Sequence, residues 1–396
     1  MTTAAIVKDL RTDTPGCENK IHLNNAGAGL MTSPVLHVMK AHLDLEAQIG
    51  GYEAAAHRRD EIRNAYQMVG QLLTCSPENI AFTNNATDAY ARALSCIGFK
   101  SGDIILTTNN DYVSNQIAFL SFRKRFGIEI VRIPDVETGG VDVDKAWELM
   151  KSLHPKLVAV THMPTNSGLI QPIEEIGKHC QQLDILYLVD ACQTVGQLNI
   201  NVQKIGCDFL SATCRKFLRG PRGAGFLYVS DKVLQGDYEP LFIDMRGAQW
   251  EEKDKYIAHK NATRFEDWEF SYALILGSGA AVKYALSLDL NWIEERIRFL
   301  SDYAREELRK LDRIQLLDKG ADLGGIVTIN TPTIPAGQLK ALLDKNNINT
   351  SLSHRSSAVI DFDEKGVDWA LRISPHYYNT VDEIDQCIAT LLQPDL

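Results

Sequence analysis

The residues best suited to chemistry in this chain are an aspartate and a lysine that lie 26 positions apart. Asp190 follows the apolar run Ile185-Leu-Tyr-Leu-Val, and Lys216 opens a glycine-rich segment that leads into the apolar run 226–229. A pyridoxal phosphate site needs a lysine amine to hold the aldehyde as a Schiff base, and a carboxylate to keep the pyridine nitrogen protonated. The pattern therefore indicates such a site, with Lys216 and Asp190 as its catalytic residues.

Either residue alone has an ordinary interpretation, because strands often end in aspartate and a lysine beside an arginine is usually solvated. Their neighbours favour the functional reading. Gln193, three residues after Asp190, is predicted to reach the phenolic oxygen of the cofactor. Gly220, Gly223 and Gly225 allow close backbone approach before the next strand.

These segments resemble the class V family of fold-type I pyridoxal phosphate enzymes, which includes cysteine desulfurases, cystine lyases and isopenicillin N epimerase-like proteins. The family pattern Asp-x-x-Gln, Ser-Gly-His-Lys and Gly-Pro-x-Gly-x-Gly stands here as Asp190-Ala-Cys-Gln, Thr213-Cys-Arg-Lys and Gly220-Pro-Arg-Gly-Ala-Gly. The resemblance covers most of the chain. Segments 50–55, 215–223 and 371–376 are most similar to hercynylcysteine sulfoxide lyase-like members.

The resemblance implies which residues bind pyridoxal 5'-phosphate. Segment 82–88 is similar to the family's phosphate loop, so Ala86 and Thr87 are expected at a helix start, where backbone N–H groups suit an anion. Thr87 as a simple helix cap is the alternative. Thr213 and Arg215 are expected on the phosphate, and the Tyr112 ring is expected to stack on the pyridine.

The substrate residues that the resemblance implies are Arg372, Asn25 and Asn166. Arg372 stands where the family places an arginine that grips the α-carboxylate, a task suited to a bidentate guanidinium. Asn166 is expected to contact the substrate or the phenolic oxygen. Segment 265–269 reads Phe-Glu-Asp-Trp-Glu where many relatives have Phe-Glu-x-Gly-Thr, which puts a phosphate contact across a dimer in doubt.

The expected reaction starts with removal of the Cα proton of an amino acid by Lys216. Cysteine desulfurases have a nucleophilic cysteine before the arginine, whereas this chain has no cysteine between Cys214 and Cys387. We therefore expect a C–S β-lyase acting on sulfoxides or cysteine conjugates, with pyruvate and ammonia as products, and disfavour a persulfide-forming desulfurase. An aminotransferase, a cyclising or annulating biosynthetic enzyme, and a non-enzymatic binding protein are the alternatives.

Composition sets limits on partners and location. The chain has 396 residues and a formal net charge of −10, with no basic stripe, which argues against a nucleic acid partner. No stretch approaches the ~18 apolar residues that span a bilayer, so we expect no membrane partner and a cytoplasmic location. The eight cysteines form no CxxC pair or ligand cluster, so no metal site is predicted.

The expected fold is α/β, a fold-type I transferase. Short apolar strands alternate with amphipathic segments from about residue 79 to 230, which predicts a mainly parallel sheet of the seven-stranded type in a large domain, 21–270. Residues 1–20 and 271–396 are expected to form a smaller α+β domain, with helices over 273–288 and 291–311. The resemblance further implies a homodimer.

Overall fold

Fifteen helices and fifteen strands make up the part of the chain that the structure describes, residues 3–393 of a computed structural model. The helices are α1 Thr3–Thr12, α2 Ser33–Ile49, α3 Gly51–His57, α4 Arg59–Leu73, α5 Ala86–Ser95, α6 Val113–Phe126, α7 Val143–Leu153, α8 Ile173–Gln182, α9 Val202–Ile205, α10 Asp231–Gln235, α11 Tyr272–Leu286, α12 Leu290–Arg309, α13 Ala336–Lys345, α14 Val359–Lys365 and α15 Val381–Leu391. The strands are β1 Ile21–His22, β2 Ile80–Thr83, β3 Ile104–Thr108, β4 Glu129–Ile133, β5 Leu157–Thr161, β6 Leu186–Asp190, β7 Phe209–Thr213, β8 Gly225–Val229, β9 Ala248–Glu252, β10 Lys255–Ala258, β11 Gln315–Leu316, β12 Val327–Asn330, β13 Ile348–Asn349, β14 Ser351–His354 and β15 Trp369–Ile373.

The central sheet has seven strands in the order β2-β8-β7-β6-β5-β3-β4. Strand β8 runs antiparallel to both of its neighbours, and the other pairings are parallel. Every residue of β5, β6, β7 and β8 is buried, as expected of strands covered on both faces. The predicted α/β fold with a mainly parallel seven-stranded sheet is confirmed.

The sheet register places the predicted site residues at one edge. Thr161 at the end of β5 pairs with Asp190 at the end of β6, and Asp190 pairs with Ser211 in β7. Because parallel strands present their carboxyl ends at the same edge, the loops that follow them converge there. Open α/β sheets bind ligands at this edge.

A second sheet of four antiparallel strands, β11-β12-β15-β14, lies in the C-terminal part of the chain. Its core includes Leu300, Ala304 and Leu308, which form an apolar stripe along α12. The N-terminal segment joins this part, since β1 pairs with β13 and Leu23 belongs to the same core. The predicted helices 273–288 and 291–311 correspond to α11 and α12, while the domain boundary at residue 270 stays a prediction.

Strands β9 and β10 form a hairpin that is a separate two-stranded sheet, and three of the four β10 residues are exposed. Within residues 3–393 no single helix is long and apolar enough to cross a membrane; α11 and α12 meet that length and composition only together, as a pair bent by 82°. All eight cysteines are free thiols.

Candidate active site

A cavity of about 310 Å³ opens where the carboxyl ends of the central strands converge. Eight of the predicted cofactor residues line it, namely Ala86, Thr87, Tyr112, Asp190, Gln193, Thr213, Arg215 and Lys216. These residues come from four separate segments, so the fold brings together groups that are far apart in sequence. Their individual roles stay predictions.

Asp190 is held by two donors at the end of β6. The Cys192 backbone N–H donates to Oδ1 at 2.9 Å, and Asn115 Nδ2 donates to Oδ2 at 3.1 Å. The same Asn115 nitrogen lies 3.1 Å from Oδ1 of buried Asp111. Burial raises the pKa of Asp111, and the neighbouring charge of Asp190 raises it further. Asn115 therefore separates two buried acids and fixes the orientation of the one that faces the cavity.

Lys216 lies in the turn between β7 and β8 and is 7% exposed. Burial lowers the pKa of its amine from 10.5 to about 8, because a charged ammonium loses its water there. The nitrogen lies 5.9 Å from the centre of the Tyr112 ring. Lys216 is thus neutral in a larger fraction of molecules near neutral pH than a solvated lysine, as a nucleophilic amine requires.

The start of α5 forms one wall of the cavity. Its cap is Asn85, whose side chain accepts from the Asp88 N–H, so the alternative that Thr87 is the cap is wrong. Thr87 is the second residue of the helix, among the backbone N–H groups that lack partners within it. A Cβ on Gly225 would lie 2.7 Å from the Ala86 nitrogen, so only glycine lets β8 approach this turn.

Arg372, in β15, is 6% exposed and has no carboxylate partner among residues 3–393. Its guanidinium donates to the Thr165 carbonyl oxygen at 3.0 Å and to Asn24 Oδ1 at 3.3 Å, while Nε has no partner. Burial, with a contribution from Arg215, lowers the Arg372 pKa to about 10. Because Thr165 also lines the cavity, an unpaired buried cation stands beside the Lys216 site.

Three predicted residues do not line the cavity, namely Arg372, Asn25 and Asn166. Asn25 is fully buried; its amide donates to the Ser374 carbonyl oxygen at 2.8 Å and accepts from the Tyr378 hydroxyl at 2.6 Å. Asn166 donates to Asp361 Oδ2 at 2.6 Å, and its Oδ1 is buried without a partner. Their predicted substrate contacts therefore stay predictions, while Asn24, the preceding residue, is the one that reaches Arg372.

Arg219 secures the turn that contains Lys216. It has a positive φ of 61°, and its N–H donates to the Lys216 carbonyl oxygen at 2.9 Å. Its buried guanidinium donates to the Leu30 carbonyl oxygen and to the Tyr377 hydroxyl, each at 2.8 Å, and also to Thr14. The lysine turn is therefore tied to both ends of the chain.

Sequence reasoning missed several residues of this site. Asn115 lies one helical turn into α6 after Tyr112, so its spacing from the predicted aromatic residue was an available signal. Thr165 and Cys192 lie next to or between predicted residues and line the cavity. Asn24 and Arg219 act through contacts with distant segments and had no local signal.

The comparisons with known proteins agree on family and fold. A family model described as aminotransferase class-V matches residues 21–387. A probable cysteine desulfurase of Methanothermobacter thermautotrophicus is 27% identical over 392 residues, which is 97% of each chain. The apo cysteine desulfurase of Thermococcus onnurineus superposes with a TM-score of 0.88 at 25% identity, covering 97% of this chain and 96% of the other.

A further solved structure, a C-DES mutant with glycine covalently linked to its pyridoxal phosphate cofactor, has a TM-score of 0.86. It is 22% identical and covers 96% of this chain and 98% of its own. At that identity the likeness shows the fold alone. The predicted family resemblance and fold-type I architecture are confirmed.

One expectation is wrong. Relatives of nearly full length that are named as cysteine desulfurases contradict the inference that a persulfide-forming desulfurase is disfavoured, and the preference for a sulfoxide or conjugate lyase falls with it. The inference rested on one missing thiol in segment 349–360. Such a thiol would accept the sulfur, whereas the residues predicted to bind the amino acid lie elsewhere in the chain.

Proposed function

The chain belongs to the aminotransferase class-V family, and from this premise we propose that it is a cysteine desulfurase. It takes the sulfur of L-cysteine, leaves alanine, and passes the sulfur to a thiol as a persulfide. The names of its relatives support this choice. The observation that supports it within the site is Arg372, a buried guanidinium without an acidic partner beside the Lys216 cavity.

The chain is an enzyme of the family that uses pyridoxal phosphate, and the cavity fits that cofactor. Buried Gln193 Oε1 has no partner, and it faces a cavity that also contains the start of α5. The donor set has an amine, a carboxylate and a cationic wall, which match the aldehyde, the ring nitrogen and the phosphate. Lys216, Asp190, Thr87 and Arg215 are the residues proposed to hold these groups.

When bound, pyridoxal phosphate supplies an aldehyde that condenses with amines and a ring that withdraws electrons from Cα. Residues of the chain are proposed to move the protons. Lys216, with its pKa lowered to about 8, takes and returns a proton at the substrate Cα. Asp190, held by Asn115 and the Cys192 N–H, keeps a proton on the ring nitrogen.

Arg372 orients the amino acid. Its guanidinium is held on one side by Thr165 and Asn24, and it is proposed to bind the α-carboxylate with its remaining N–H donors. A carboxylate held this way fixes the Cα–H bond relative to Lys216. Positioning of this kind is a large part of catalysis, because it replaces a bimolecular encounter by a fixed geometry.

The test is to incubate the holoenzyme with L-cysteine, with and without dithiothreitol as the sulfur acceptor. We expect alanine and sulfide in equal amounts, with sulfide release dependent on the added thiol. Lys216→Ala should abolish turnover, while Lys40→Ala, at an exposed position on α2, should not change it. Pyruvate and ammonia in place of alanine would contradict the proposal.

A homodimer and a cytoplasmic location are the finer parts of the same proposal. Several large apolar side chains near the β9–β10 hairpin are more than half exposed, namely Tyr52, Leu241, Phe242, Met245 and Trp250. Contiguous apolar surface of this kind marks protein interfaces. The eight free thiols suit a reducing compartment. Sedimentation of the pure holoenzyme as a monomer at micromolar concentration would reject the dimer.

A further inference from the structure

Arg222 is an arginine of the cavity to which the sequence analysis gave no role. It follows Pro221 in the turn before β8, and its side chain lines the cavity together with Ala86, Thr87 and Arg215. The residue is exposed, so neither packing nor an internal ion pair accounts for its position. Among residues 3–393 it has no carboxylate partner.

The backbone brings Arg222 to the first turn of α5. In the sheet, Gly225 pairs with Thr83 on one side and with Thr213 on the other. A Cβ on Gly225 would lie 2.6 Å from the Asn85 carbonyl carbon and 2.7 Å from the Ala86 nitrogen. The start of β8, three residues after Arg222, thus lies directly against the start of the helix, where the first backbone N–H groups lack partners within the helix.

Two guanidinium groups face this corner without an acid between them. Arg215 donates to the Gly27 carbonyl oxygen and has no carboxylate partner in the described chain. Burial lowers the pKa of Arg215, and the positive charge of Arg222 lowers it further. Two uncompensated cations next to the N-terminus of a ten-residue helix are a setting for a doubly charged anion.

Arg372 does not line the cavity; its donors are directed to Thr165, which does, and to Asn24. Two arginines therefore line the cavity, and a third lies beside it. A phosphate monoester has up to two negative charges near neutral pH, and an amino acid carboxylate has one. The charges match if two arginines serve the phosphate and the third serves the carboxylate.

We propose that Arg222 binds the phosphate of the cofactor and shares that dianion with Arg215. This inference rests on the cofactor and does not depend on the fate of sulfur in the proposed function. Exposed Arg222 would meet the phosphate from the solvent side, and half-buried Arg215 from the protein side.

The experiment compares the binding of two ligands, pyridoxal phosphate and pyridoxal, to the apoenzyme by equilibrium fluorescence. Arg222→Met should raise the dissociation constant for pyridoxal phosphate by about 10-fold or more, since a charge-assisted hydrogen bond is lost, and leave that for pyridoxal unchanged. Arg222→Lys should fall between the two. Arg63→Met, at an exposed arginine on α4, is the matched control and should behave as wild type.

A second readout uses inorganic phosphate alone. It should raise the unfolding temperature of the wild-type apoenzyme, and this rise should shrink in Arg222→Met. Equal weakening of both cofactor forms, or weakening of neither, would overturn the proposal. So would a change confined to the KM for L-cysteine, because Arg222 would then face the substrate. Sulfur release plays no part in either measurement, so their failure is distinct from failure of the desulfurase proposal.

Discussion

Replacing Lys216 by methionine should stabilise the apoenzyme at neutral pH. The side chain is buried, and its pKa is lowered from 10.5 to about 8. The folded state therefore binds this proton less tightly than the unfolded state does. A pKa difference of about 2.5, at about 1.4 kcal/mol for each unit, corresponds to roughly 3 kcal/mol lost from the free energy of unfolding when Lys216 is protonated in both states.

The direction of the Lys216 pKa shift determines the pH range over which the stability of the protein changes. Below pH 8 both states hold the proton, and the full cost is present. Between pH 8 and 10.5 the unfolded state holds it and the folded state does not, so the stability of wild type rises with pH. Methionine has a similar length and no charge, so Lys216→Met should be more stable than wild type by about 3 kcal/mol at pH 7. That advantage should shrink steadily above pH 8.

The assay is urea unfolding of the cofactor-free proteins at pH 7, 8, 9 and 10, followed by circular dichroism. Lys40→Met, at an exposed lysine, is the control and should track wild type at each pH. Equal stability of Lys216→Met and wild type at pH 7 would refute the reasoning. So would a gap that stays constant up to pH 10, since a packing effect would not titrate.

Two further predictions concern neighbouring groups. Arg372→Lys should lower kcat/KM for L-cysteine by roughly 10- to 100-fold, because bidentate binding of the carboxylate is lost. Activity on cysteamine, which lacks that carboxylate, should not change. An equal loss of activity on both compounds would contradict carboxylate binding by Arg372. Asn115→Ala should lower the free energy of unfolding by roughly 1–3 kcal/mol, because two buried carboxylates lose a donor. Asn115→Asp should be worse, since it adds a third acid, and urea midpoints at pH 7 for the two variants and wild type test that order.

Residues that belong to a local sequence pattern could be placed in the site from the sequence alone. Asp190 and Lys216 could be predicted because one ends a buried strand and the other opens a glycine-rich turn. The seven-stranded sheet followed from the alternation of apolar runs and amphipathic segments. Its antiparallel strand β8 did not, since a short apolar run has the same composition in either direction.

Contacts between distant segments could not be predicted. Asn24 and Asn25 are adjacent and chemically identical, and consecutive side chains of an extended segment point in opposite directions. Only the pairing of Asn24 with Ser374 decides which one meets Arg372. Asn115 could not be predicted for the same reason, because the contact that makes it part of the site is its hydrogen bond to Asp190, which is 75 residues away in sequence.

Reaction type was the part that local reasoning got wrong. The absence of a cysteine from one loop is weaker evidence than similarity over 97–98% of the chain to proteins named as probable cysteine desulfurases. The absence of a single side chain from an assumed position is weak evidence against a reaction when the residues predicted to bind the amino acid are present.

Arg219, the buried arginine beside the lysine turn, has hydrogen-bond partners that are synthesised at different times. Its partners Thr14 and Tyr377 lie on either side of Lys216 in the sequence, so the ribosome supplies Tyr377 only after both strands that flank the lysine turn. A nascent chain that contains all seven strands of the central sheet does not yet contain Tyr377, whose hydroxyl accepts a hydrogen bond from Arg219. A fragment that ends before Tyr377 should therefore hold the lysine turn less firmly than the full chain does, because Arg219 keeps its contacts to Leu30 and Thr14 but loses the one to the tyrosine hydroxyl.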